Sequence, residues 1–276
     1  DDCVPMDKWP VKPSDIDFIF LTHAHIDHIG RIPEVVKKGF CGEILTSHPT
    51  KALIGPMLKD AMSFTGMPEK EREEIARQID RITWGFEYNK TFDLKSGAGF
   101  KLGRAGHILG SCFIRIETRS PEFSVLFSGD LGGTGRPLLH DPDPPDPCDL
   151  LVLESTYGDR LHENSGKRIE KLGEILSKAL ADGGKVFIPA FALGRIQELI
   201  YEMDRLTTDP EFAGFNFLRS SSKIPVFLDS PLGLELTEIT GRLSQFWDSE
   251  AREILKSGDN PLDFKQLYAA TNHRHH

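Results

Sequence analysis

Residues 17–28 read Asp17-Phe18-Ile19-Phe20-Leu21-Thr22-His23-Ala24-His25-Ile26-Asp27-His28. The first half is a short, continuous apolar run bounded by polar residues, which suits a buried strand better than a helix of that length. The second half places three imidazoles and a carboxylate within six residues, where the strand ends and the chain can fold around a cation. Neutral imidazole and carboxylate are ligands for Zn²⁺, Mn²⁺ or Fe²⁺, and the lack of a nearby cysteine argues against a structural thiolate site. The ordinary alternative is a chance cluster of solvated loop histidines. Two later positions weigh against it. Gly106-His107 sits in a glycine-bracketed turn between two strand-like runs, and Gly129-Asp130 follows the apolar Val125-Leu126-Phe127. Alone, His107 reads as a hydrogen-bonded structural histidine and Asp130 as a turn former. In this order, each after a strand, they read as further ligands.

Around these positions the pattern alternates between strand and helix. Residues 31–38 predict a short helix closed by Gly39, 43–47 a strand, 50–62 a helix and 68–82 a charged helix with Pro68 in its first turn. Residues 100–104, 112–118 and 123–127 predict three short strands of one sheet. The stretch His140-Asp141-Pro142-Asp143-Pro144-Pro145-Asp146-Pro147 continues neither a helix nor a central strand and reads as a connector. Residues 150–153 predict a buried strand. In the next helix Leu172, Ile175, Leu176, Ala179 and Leu180 share one face before Gly183-Gly184. Strand at 185–189, helix at 194–206, strand at 225–228 and helix at 232–243 complete a βαβαβα series, which implies a parallel sheet and a second domain or insertion from about Tyr157 onward.

With 276 residues, 39% hydrophobic and 27% charged, the chain can bury one large core or two moderate ones. No run approaches the ~20 apolar residues of a membrane span, and no secretory leader is visible. The reading is therefore cytoplasmic, with no membrane partner. Cys3, Cys41, Cys112 and Cys148 lack CxxC spacing, so they are expected to be reduced and mostly buried rather than a disulfide framework or zinc ribbon. A net charge of −9 disfavours a protein that grips nucleic acid by phosphate neutralisation alone. It does not exclude a nuclease whose metal ions supply local positive charge.

The order HxHxDH, then a single His, then a single Asp, resembles the metallo-β-lactamase superfamily. The resemblance implies an αββα sandwich in which His23, His25 and His107 hold one divalent ion, Asp27 and His28 hold another and Asp130 bridges them. Zinc is the expected metal, with manganese as the alternative, and water between the metals would be the nucleophile. Four further segments resemble the β-CASP branch, which cleaves nucleic acids: Ala105-Gly106-His107-Ile108-Leu109-Gly110-Ser111, Phe127-Ser128-Gly129-Asp130-Leu131-Gly132, Leu153-Glu154-Ser155-Thr156-Tyr157-Gly158-Asp159-Arg160, and Ile188-Pro189-Ala190-Phe191-Ala192-Leu193-Gly194-Arg195. They imply a metallo-β-lactamase domain over residues 1–156 and an inserted, incomplete parallel-sheet β-CASP domain over 157–276.

In this branch Asp27 and Glu154 match catalytic positions, Glu154 orienting the nucleophilic water or a final histidine. The plainer reading of Glu154 is a loop acid or N-cap. The segment ending at Arg195 precedes a helix whose N-terminus could receive phosphate. Arg195 reads as a substrate contact or a structural ion pair, and Ser230, in Leu228-Asp229-Ser230-Pro231-Leu232, as a phosphate contact or a helix cap. The implied activity is metal-dependent phosphodiester hydrolysis in RNA, with single-stranded DNA as the other candidate. A homo-oligomer is compatible with the sequence.

Both ends depart from the family pattern. Family members begin with further strands and an Asp-containing motif, where this chain has Asp1-Asp2-Cys3. They also continue into a segment that supplies a histidine general acid and the last ligand histidine. His273, His275 and His276 read as neither of these nor as a tag, but as an interrupted helix start. The chain is expected to be a fragment that binds metal weakly and turns over slowly or not at all. A thioester or lactam hydrolase shares the ligands but has no need of the later βαβαβα series. A non-catalytic scaffold subunit is opposed by the intact ligand set.

Overall fold

A computed structural model describes residues 5, 8–94, 97–161, 165–215 and 224–270. The stretch Asp1-Asp2-Cys3 and the terminal histidines His273, His275 and His276 lie outside these residues. Contacts within the chain gather it into two compact units: Asp1–Ala105, Gly110–Leu131 and Pro142–Leu153 form the first, and Gly106–Leu109, Gly132–Asp141 and Glu154–His276 form the second.

The first unit opens with β1 (Phe18–Phe20), α1 (Ile26–Ile29), α2 (Ile32–Lys37), β2 (Glu43–Ser47), α3 (His48–Ser63), α4 (Glu69–Ile82) and β3 (Thr83–Phe86). β1, β2 and β3 form a parallel three-stranded sheet in that order. Pro68 is the N-cap of α4, one position before its expected place in the first turn. A second, five-stranded sheet runs β4 (Thr91–Asp93), β5 (Ala98–Arg104), β6 (Cys112–Arg119), β7 (Glu122–Phe127) and β8 (Leu150–Val152). It is antiparallel except for the β7–β8 pair. Apolar side chains of both sheets meet in one core: Phe20 and Phe86 each stand edge-on to Phe100, at 5.2 and 5.0 Å between ring centres, beside buried Leu45, Leu102 and Ile114. One helix layer and two facing sheets are thus in place, three of the four layers of the αββα expectation.

β3 and β4 were not legible in the sequence, β3 being a four-residue run broken by Gly85 and β4 having only three residues. The strand expected to be buried at 150–153 is exposed, Leu151 by 51% and Leu153 by 57%, because β8 is the last strand of its sheet. Of the three described cysteines, only Cys112 is buried; Cys41 is exposed and Cys148 intermediate, and none is bridged. The expectation of mostly buried thiols therefore fails.

The second unit holds α5 (Arg168–Ala179), α6 (Arg195–Thr208), β9 (Val226–Leu228), α7 (Pro231–Arg242), α8 (Ser249–Lys256) and β10 (Leu267–Ala269). β9 and β10 pair in parallel. Residues 185–189 form no strand: among the described residues none pairs with them, and Phe187 is 85% exposed. The buried face of α5 is Ile169, Gly173 and Leu176, while Ile175 turns to solvent. α6 lays Ile196, Ile200 and Tyr201 against Trp247, Ala251, Leu262 and Phe264, with Leu109 and Leu138 of the unit's two earlier segments in the same core. Among the described residues no helix is long and apolar enough to cross a membrane.

Candidate metal centre

The end of β1 is fixed before the histidines begin. Leu21 donates its N–H to Leu45 at 3.0 Å and accepts from Thr46 Oγ1 at 2.8 Å, and the Thr22 carbonyl accepts from Cys112 N at 2.8 Å. His23 then lies fully buried, with Nδ1 3.1 Å from Thr22 Oγ1. His25 is the N-cap of α1, so the helix begins as the histidine run passes its midpoint and carries Asp27 and His28 on its single turn. His23 Nε2 is 3.2 Å from His25 Nδ1, and the His23 and His28 rings are 4.0 Å apart.

Asp130 follows Gly129, whose φ of 56° is unfavourable for other residues; a side chain there would also stand 2.7 Å from Thr22 Cβ. The Asp130 carboxylate divides its oxygens, Oδ1 at 3.3 Å from His28 Nε2 and Oδ2 at 3.8 Å from His23 Nε2. Asp27, largely exposed, has Oδ2 3.5 Å from His28 Nε2. His107 belongs to the second unit, on Gly106–Leu109, inside the seven-residue connection between Arg104 of β5 and Cys112 of β6. Within the first unit, one donor atom from each of His23, His25 and Asp130 lies within 4.8 Å of the others.

This donor set fits a divalent cation. Imidazole nitrogen and carboxylate oxygen are gathered without thiolate, and a fully buried imidazole faces other lone-pair donors that repel one another unless a proton or a cation lies between them. The neighbouring Cys112, whose thiol burial pushes up to about 12, is not among the gathered donors; its Sγ donates to the Thr22 carbonyl at 3.3 Å. The ligand-bearing turns are held by residues that sequence reasoning missed. Ser47 Oγ and Thr50 Oγ1 both donate to the Gly110 carbonyl, at 2.6 and 2.8 Å. Arg136 Nη1 donates to the His107 carbonyl at 2.8 Å. No short motif announces these contacts; only the glycines, Gly110 at φ 94° and the Gly132-Gly133 pair, signal tight turns.

Three further expected residues have local partners. Glu154, past the end of β8, accepts from Thr156 N at 3.2 Å. Arg195 begins α6 and pairs with Glu198 at 2.5 Å, the ion-pair alternative of its two readings. Ser230 caps α7, accepting from Gly233 N at 3.0 Å. The donor group described above contains none of them.

Comparison with known proteins adds family membership. A sequence profile described as the metallo-beta-lactamase superfamily matches residues 5–189. "Ribonuclease TTHA0252" of Thermus thermophilus is 32% identical over 251 residues, covering 91% of this chain and 54% of that protein. "Endoribonuclease YSH1" of Saccharomyces cerevisiae is 29% identical over 271 residues (92% and 33%). "Transcription termination factor FttA" of Methanocaldococcus jannaschii is 30% identical over 275 residues (94% and 41%). The chain thus spans about half the length of the first of these relatives and less of the other two. With its donor cluster suited to divalent metal, the chain belongs to the metallo-beta-lactamase superfamily, and its resemblance runs to the RNA-processing nucleases of the β-CASP type.

Proposed function

We propose that the chain is the metal-binding part of a ribonuclease that hydrolyses phosphodiester bonds. The observation that carries this reading is the convergence of His23, His25 and Asp130 within 4.8 Å, in a chain whose relatives include proteins named ribonuclease and endoribonuclease. His23, His25 and His107 would hold one divalent ion, Asp27 and His28 a second, and Asp130 both. Zinc is the assignment, with manganese the alternative. When bound, such a pair lowers the pKa of water and offsets the charge that develops on phosphorus.

The chain's own residues then have distinct tasks. Buried His23, fixed through Nδ1 beside Thr22, keeps Nε2 facing the centre. Asp130 ties the His23 and His28 sides together through its two oxygens. Glu154 is assigned to orienting the attacking water or a further histidine, and Arg195 and Ser230, both at helix starts, to substrate phosphate. In domain terms residues 1–156 would be the metallo-β-lactamase part and 157–276 the β-CASP part. RNA is preferred over DNA because of the relatives' names, and a cytoplasmic site of action agrees with an exposed, unbridged Cys41.

The test is metal content by mass spectrometry of protein purified without added metal, beside His25→Ala and Asp130→Ala. Cleavage of RNA, DNA and a thioester by the parent follows. About two equivalents in the parent, loss in both variants and RNA cleavage blocked by a phosphorothioate oligonucleotide would support the assignment. Metal with thioester hydrolysis alone would replace the nuclease by a small-molecule hydrolase. A parent without metal would remove the centre itself.

A further inference from the structure

Arg136 lies beyond Asp130 in the second unit, and three interactions converge on its guanidinium. Nη1 donates to the His107 carbonyl at 2.8 Å, Nε donates to Glu198 Oε1 at 2.7 Å, and Nη2 lies 2.5 Å from the same oxygen. The other oxygen of Glu198 accepts from Arg195 Nη1 at 2.5 Å. Glu198 is only 8% exposed, so this carboxylate has exchanged water for two arginines. One turn along α6, the equally buried Glu202 pairs with Arg168, whose Nη1 donates to the Gly135 carbonyl at 3.0 Å. Two buried carboxylates of one helix therefore hold three arginines, of which Arg136 and Arg168 are each fastened to the backbone of a different loop. Those loops also abut each other: a Cβ at Gly132 would fall 1.7 Å from the Gly106 carbonyl oxygen.

Burying charge is costly unless the pair is well formed and hydrogen-bonded, and an arginine serving only solubility would not sit here. A planar guanidinium can hold a carboxylate with one edge and a carbonyl with another, whereas an ammonium offers no such fixed fork. We infer that Arg136, oriented by Glu198, is a positioning residue for the metal centre: it fixes the backbone of His107 so that the imidazole is presented as a ligand. Helix α6 thereby sets how tightly that ligand is held, through a residue that touches neither metal nor substrate. Partners that orient a ligand in this way typically govern about 10-fold to 100-fold of metal affinity. The inference rests on the metal-centre reading above.

The experiment compares the parent with Arg136→Met, Arg136→Lys and Glu198→Gln. Zinc affinity is measured by competition with a chromophoric chelator, folding by circular dichroism and melting in chelator, and the His107 ring by its nitrogen and proton resonances. The expected result is a folded Arg136→Met protein with about 10-fold to 100-fold weaker binding of one equivalent, displaced His107 resonances and little rescue by lysine. Glu198→Gln, which keeps its shape, should lie between parent and Arg136→Met. If Arg136→Met does not fold, Arg136→Lys and Glu198→Gln carry the comparison. Parental affinity with unmoved His107 resonances in the folded variants would overturn the inference. A parent that binds no zinc would instead sink the metal-centre reading, and positioning would then be judged by the resonances alone: shifted supports it, unshifted overturns it.

Discussion

Asp130 Oδ1 lies 3.3 Å from His28 Nε2, closer than any oxygen of Asp27, whose Oδ2 stands at 3.5 Å. Asp130 also reaches His23 with its second oxygen, whereas Asp27 is 73% exposed at the margin. The two carboxylates should therefore fail differently. Asp130→Asn is expected to lose most of both metal equivalents, and Asp27→Asn principally one. Metal analysis after identical desalting decides it; equal losses would show that the carboxylates do not divide the site in this way.

Gly129→Ala tests the turn that delivers Asp130. The substitution meets an unfavourable φ of 56° and a contact of 2.7 Å with Thr22 Cβ. Destabilisation of about 1–3 kcal/mol is expected from strain and crowding together. A lowered melting temperature in chelator, accompanied by weaker metal binding, is the anticipated pair of effects. A variant as stable as the parent would mean that the turn relaxes freely.

The Gly110 carbonyl provides a third test. Thr50→Val removes one of its two hydroxyl donors, and Ser47→Ala removes the other together with the cap that Thr50 N uses at 3.3 Å. Each loss should cost about 1–2 kcal/mol, with Ser47→Ala at the upper end. Urea denaturation of the single and double variants would reveal a double-variant effect different from the sum, because both hydroxyls serve one acceptor.

Asp204 of α6, 5% exposed, has its carboxyl pushed up to about 6, first by burial and then by Asp259 and Asp263. Since the folded value exceeds the unfolded one of 3.8, the folded chain binds the proton more tightly. The stabilisation is complete below about 3.8 and is lost as pH rises through about 6. Asp204→Asn is expected to gain about 1–3 kcal/mol over the parent at pH 7.5, and to lose that advantage near pH 4. Melting curves of both proteins across this range would show the difference; a gap independent of pH would remove the titration from the account.

The gathered donors were legible because His23, His25 and Asp130 each follow an apolar strand, a local signal at residues 18–28 and again at 125–130. Strands that depend on a partner were less legible. Residues 185–189 have the composition of a strand but no partner strand among the described residues, and β4 has little composition to show but pairs with β5. The supports were hidden for the same reason. Nothing near Arg136 or Glu198 marks them, because their contact joins positions 62 apart in the chain. Ser230 shows the opposite case, where the local alternative, a cap, is the contact observed.

The donor cluster of the first unit is drawn from the end of β1 and the end of β7, so no short stretch of chain contains it. Its assembly has to wait for non-local strand pairing, the slow part of folding. A cation that binds only this arrangement acts on the folded state as a mass-action stabiliser and leaves the early folding rate alone. Added zinc should slow unfolding far more than it speeds refolding, and the appearance of a cobalt spectrum should report completion of both sheets rather than formation of the first histidine turn.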